Sequence, residues 1–147
     1  MKYLVILFSL LFFFIPGYSQ NSGSSEMKAA APASDDDITR AYRVLSKSGS
    51  YEDKKLVIGI FRDNYKNERI LDMTIDLLTH GYEDVNFKEN DQSMYYDDVI
   101  AEELVKLLGR NGNKKAFPAL LRVALNSKSH RDQTVKEAWK AIQLIQW

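Results

Sequence analysis

The chain of 147 residues contains no cysteine. That absence removes disulfides, thiolate nucleophiles and cysteine-ligated metals together. It also removes the lipid-attachment cysteine that a bacterial lipoprotein needs at its cleavage site. Histidine occurs twice, as His80 and His130. Both fall at expected helix boundaries, and a histidine acts as acid, base or ligand only beside an oriented partner, so neither is read as catalytic or metal-binding. Twenty basic residues balance twenty acidic ones, which gives no sign of a nucleic-acid or membrane-surface protein. Gly-x-Ser-x-Gly, His-Glu-x-x-His, a phosphate-binding glycine loop and a dinucleotide fingerprint are all missing. No cofactor is expected.

What is present begins with an address. Met1-Lys2 precedes the one long apolar run, residues 3–15. As a helix that run spans about 20 Å at ~1.5 Å per residue, short of a ~30 Å hydrocarbon core. Pro16-Gly17 breaks it, and Gly17-Tyr18-Ser19 offers small residues where a signal peptidase reads. The expectation is a signal peptide over residues 1–19, a mature chain starting at Gln20, and export to a periplasm or the exterior. Residues 20–33 are rich in Asn, Ser, Gly, Ala and Pro with Met27 as the one large apolar side chain. They cannot bury enough surface to offset the entropy of ordering them, which predicts a flexible leader.

Six helices are expected over residues 34–147. Ser34 and the acids Asp35-Asp36-Asp37 suit a helix start, and Ile38, Ala41, Tyr42 and Leu45 repeat at helical spacing. Gly49 is expected to close that helix in a left-handed conformation. Ser50-Tyr51-Glu52-Asp53 opens a second helix with a variant capping box, its inward stripe read as Leu56, Val57, Ile60 and Phe61. Gly59 within it marks either a close helix approach or a tolerated surface position. Asn67 caps a third helix with Ile70, Leu71, Thr74, Ile75, Leu77 and Leu78 inward, closed by Gly81. The fourth runs from near Ser93 to Gly109. The fifth starts at Asn113 with Pro118 early and Phe117, Leu120, Leu121, Ala124 and Leu125 inward. Ser129-His130-Arg131-Asp132 caps a sixth, which presents Val135, Ala138, Trp139, Ile142 and Ile145.

Residues 82–93 break the pattern and predict a long loop, of the kind that is often functional. Its start, Asp84-Val85-Asn86-Phe87-Lys88, opens like a calcium loop but puts Lys88 at a ligand position, Glu89 where glycine is required and Tyr95 where the closing Glu belongs. Asp97-Asp98 and Glu102-Glu103 read as a solvated helix surface. Between residues 82 and 103 eight acids face one base, a net of −7; between 110 and 147 eight bases face two acids, a net of +6. Such polarity can steer partners or align copies, or arise where solvent faces differ in sign.

The order from Val99 onward is a helix ending in Leu108-Gly109, a polar turn, a helix containing Ala116-Phe117-Pro118-Ala119-Leu120-Leu121, another turn, and the Ala-rich Val135-Lys136-Glu137-Ala138-Trp139. This resembles the HEAT-repeat family of helical-hairpin solenoids, most clearly over residues 97–147. A shift of 37 residues lays Ala101 on Ala138 and Leu108 on Ile145, and a shift of 46 lays Asn67 on Asn113, near the family's repeat length. Gly112-Asn113-Lys114 stands where the family often has an Asp-Pro turn. The resemblance implies an all-α fold, a short right-handed α-solenoid of about six antiparallel helices in two to three hairpins, with a compact bundle as the alternative. It also implies a non-catalytic module that binds a protein partner on the second helices of its units, here residues 67–80 and 113–126. Candidate contacts are Tyr82, Phe87, Tyr95 and Tyr96 around the loop, whose aromatic rings carry large contact area, and Lys114, Lys115 and Arg122 on the basic side. The alternative is polyanion or nucleic-acid binding through the basic C-terminal helices, by Lys114, Lys115, Arg122, Lys128 and Arg131, a rare role for an exported chain.

Overall fold

The computed structural model describes residues 33–46 and 49–147. The expected signal peptide and all of the leader before Ala33 lie outside the described residues. The described chain is all-helical: α1 (Asp35–Ser46), α2 (Tyr51–Asp63), α3 (Glu68–His80), α4 (Gln92–Asn111), a 3-10 turn (Lys114–Ala116), α5 (Phe117–Leu125) and α6 (Asp132–Gln143), with no strand among the described residues. None of these helices is long and apolar enough to cross a membrane.

Side-chain caps start the helices where the sequence places them. The Ser34 hydroxyl accepts from Asp37 N–H at 3.2 Å and the Ser50 hydroxyl from Asp53 N–H at 3.2 Å. Asn67 Oδ1 accepts from Arg69 N–H and Asn113 Oδ1 from Lys115 N–H, both at 2.9 Å. The two asparagines stand 46 residues apart and close the same geometry. Asp91 caps α4 by accepting from Ser93 and Met94. Each cap satisfies a backbone donor that the first helical turn leaves open.

The helix ends differ from expectation. α4 runs through Gly109 to Asn111, and Gly112, at φ 68°, is its left-handed closing residue. Gly109 instead permits contact with α6: a Cβ there would lie 2.9 Å from Ala141 Cβ. Gly81 ends α3 in ordinary right-handed backbone at φ −118°, and Gly49 has no positive φ either. Gly59 borders open space apart from the Arg62 guanidinium, so it is a surface glycine.

Packing joins α1 to α2 and α3, α2 to α4, α3 to α4 and α5, and both α4 and α5 to α6. Phe61, Ile70, Leu78, Ile100, Leu104 and Leu120 are among the fully buried side chains between them. Three inward faces depart from the expected stripes. On α2 the buried residues are Lys54, Ile58 and Phe61, and Leu56 is 76% exposed. On α5 they are Ala119, Leu120, Val123 and Ala124, while Leu125 is exposed. On α6 they are Thr134, Ala138 and Ala141, with Trp139 turned outward. In α2 and α6 a polar residue takes a core position because a partner on α4 satisfies it: Lys54 donates to Asp97 at 2.8 Å and Thr134 to Asp98 at 2.7 Å.

Candidate functional site: a tyrosine face on a buried ionic clasp

The long connection is a docked loop. Tyr82 is 3% exposed, and its hydroxyl donates to the Leu45 carbonyl at 2.8 Å while the Lys54 ammonium sits 5.3 Å from its ring. It therefore belongs to the core and offers no ring to a partner. The Glu83 carbonyl accepts from Asn126 Nδ2 at 3.1 Å and meets His130 Nε2 at 3.0 Å. The Glu83 carboxylate pairs with Arg122 at 3.1 Å. Phe87, half-buried, donates its N–H to the Ser129 carbonyl at 3.1 Å. Asn86 takes φ 53°, a conformation asparagine tolerates.

Beneath the loop lies a cluster that no local sequence signal predicts. Asp98 is fully buried on α4 and Glu102 nearly so, contrary to the solvated surface read for them, whereas Asp97 and Glu103 do reach solvent. Its Oδ1 meets His130 Nδ1 at 2.7 Å, and its Oδ2 accepts from Arg131 Nε at 2.6 Å and from the Thr134 hydroxyl at 2.7 Å. Oδ2 also accepts the Arg131 backbone N–H at 3.3 Å, so a carboxylate from α4 caps α6 in place of the expected Ser129-to-Asp132 box. Arg131 Nη2 reaches Glu102 at 2.7 Å, and Lys106 meets Glu102 at 2.8 Å. The two nitrogens of His130 face the Asp98 carboxylate and the Glu83 carbonyl. Burial pushes the Asp98 carboxyl upward, but hydrogen bonds from His130, Thr134 and Arg131 outweigh it and hold the group below its usual range. No buried side-chain polar atom is left without a partner among the described residues. The carboxylates are fully engaged, and no group of three His, Asp or Glu there is arranged to hold a metal ion.

The clasp carries a surface. Arg131 lies over the Tyr95 ring, 4.8 Å from its centroid. Tyr95 meets Tyr96 edge-on at 6.0 Å, and Tyr96 stacks on Tyr51 with centroids 4.1 Å apart and planes within 9°. The Lys55 ammonium covers Tyr51 at 5.0 Å. Gln92 donates to the Tyr96 hydroxyl at 2.5 Å. The first turns of α2, α4 and α6 thus contribute one row of three rings ending in a cation at each side. Tyr95 is 43% exposed, and Tyr51 and Tyr96 are partly so.

Of the residues singled out from sequence, Tyr95 and Tyr96 come together here. Phe87 is held in the loop, and the basic trio lies elsewhere. Lys115 pairs with Glu68 at 2.9 Å, Arg122 with Glu83, and Lys114 is exposed beside the chain end. Tyr51 was missed because its local sequence reads only as a helix start; no spacing rule connects it to a residue 45 positions on. Compared with protein-family models, with curated proteins and with solved structures, the chain matches none.

Proposed function

We propose that this chain is an exported, non-catalytic interaction module, built as a short HEAT-like solenoid, that holds a protein partner on the face formed by Tyr51, Tyr95 and Tyr96. The observation that carries this reading is the continuous ring row from Lys55 to Arg131. Tyrosine and arginine supply large contact area at small entropic cost and dominate the energetics of many interfaces. The clasp between α4 and α6 holds Arg131 over Tyr95, and the Lys54–Asp97 pair ties α2 to α4 beside Tyr51, so little ordering remains to be done on binding. The solenoid reading is supported by neighbour relations: α1, α3 and α5 adjoin in sequence, as do α2, α4 and α6, with α1 on α2, α3 on α4 and α5 on α6 between the rows. The matching caps of Asn67 and Asn113 support the repeat further. The polyanion reading has less to rest on, since Lys115 and Arg122 are already paired with acids.

The test is an affinity pull-down of the mature protein with mass spectrometry of what is retained. Tyr51→Ala with Tyr95→Ala is expected to lose the retained partner by about tenfold or more, with circular dichroism unchanged. Undiminished capture by the double variant would place the contact elsewhere.

A further inference from the structure

We propose that the recess between the turn after α4 and residues 144–147 is a saccharide-binding site, which takes a neutral pyranose ring against the face of Trp147. Two contacts fix the chain there. Gly112, at φ 68°, leaves room for residues 144–146 to cross it, since a Cβ at that position would stand 3.1 Å from the Leu144 carbonyl oxygen. Gln146 then donates its N–H to the Gly112 carbonyl at 2.9 Å and forms an isolated parallel bridge with Asn113. The Trp147 ring meets Phe117 edge-on with centroids 5.2 Å apart, yet it is 80% exposed. A neighbour thus positions the indole while its surface stays open to water. The recess encloses about 360 Å³, at the small end of ligand sites.

Its chemistry is amide and aromatic. The lining is Asn111, Gly112, Asn113, Lys114, Gln146 and Trp147, so among the described residues no acidic side chain borders it and Lys114 is its one charged side chain. Asn111 Nδ2 donates to the Tyr65 carbonyl at 2.7 Å, and Asn113 Oδ1 accepts from the Lys115 N–H at 2.9 Å. These bonds hold both amides in place and leave the Asn111 oxygen and the Asn113 nitrogen for a ligand. Gln146 adds an exposed amide. The open groups are therefore a mixture of donors and acceptors, which suits hydroxyls that both donate and accept. A phosphate would call for clustered or bidentate cations, and one lysine does not supply them. A pyranose also presents a face of C–H groups, whose slight positive charge rests on the negative face of an aromatic ring. The recess lies at the opposite end of α4 from Tyr95, about 25 Å along the helix at ~1.5 Å per residue. It is therefore separate from the tyrosine face.

The experiment is a fluorescence titration of the whole chain with maltotriose, mannotriose and triacetylchitotriose. Trp139→Phe removes the other tryptophan, so the emission of that variant reports Trp147 alone. At least one of the three sugars is expected to give a saturable change, with a Kd of about 1 mM or tighter that does not shift with added salt. Trp147→Ala, followed by calorimetry, should weaken that sugar about tenfold or more while the melting temperature holds, because the ring is exposed. Gln146→Leu keeps the backbone bond to Gly112 and should weaken it several-fold. Tyr51→Ala with Tyr95→Ala leaves it unchanged. No saturable change with any of the three sugars overturns the proposal, as does undiminished binding by Trp147→Ala. Adenosine held at Trp147 when no sugar is held also overturns it, because the ring would then take a planar base.

Discussion

Asp98, on α4, ties α6 and the docked loop together. It receives His130, the Arg131 guanidinium and backbone, and Thr134, and through His130 it reaches the Glu83 carbonyl. Removing one member of such a set strands the others in a dry environment, which costs roughly 3–5 kcal/mol. Asp98→Asn is therefore expected to lower unfolding free energy by about that amount at neutral pH, measured by denaturant titration. The pH dependence has a definite sign. The Asp98 carboxyl is held below its ordinary value in the folded chain, so its contribution is complete above the unfolded pKa of about 3.9 and is lost as pH falls through the lower, folded value. The stability gap between wild type and Asp98→Asn should stay constant down to mildly acidic pH and close in strong acid. A gap that instead widens in acid would show that Asp98 is not the charged member of the clasp. None of this was legible in the sequence, where Asp98 is one of four acids within seven residues and its partners lie more than thirty positions away.

At the scale of elements, local signals were readable and tertiary ones were not. The caps Ser34, Ser50, Asn67 and Asn113 act through neighbours two or three residues on, so the sequence alone predicts them. The inward face of α2 depends on Asp97 accepting the Lys54 ammonium, and hydropathy counts a lysine as solvent-facing. The glycines divide in the same way. Gly109 reads as a helix stop because glycine often is one, yet it serves the crossing of α4 and α6. Gly109→Ala is expected to destabilise the protein, because the new methyl would sit 2.9 Å from Ala141 Cβ and 3.0 Å from its Cα. Gly59→Ala meets open space and should stabilise by up to ~1 kcal/mol through helix propensity. Thermal melting of the two variants checks both, and shifts of the same sign would mean that one of the glycine environments is misread.

At the scale of the molecule, part of the charge polarity of the sequence is spent in contacts between its two segments. The acidic segment supplies Glu83, Asp98 and Glu102, and the basic segment supplies Arg122 and Arg131 to meet them. Linear charge runs that look like a steering field thus become the seam that seats the loop and α6 against α4. What remains outward over that seam is the tyrosine row. The partner proposed to sit on that row is tested most directly by amide hydrogen–deuterium exchange of the captured complex. Partner binding should slow exchange at residues 51–55 and 92–97 while leaving 114–122 unchanged. Protection confined to 114–122, with 51–55 and 92–97 as fast as in the free protein, would contradict it.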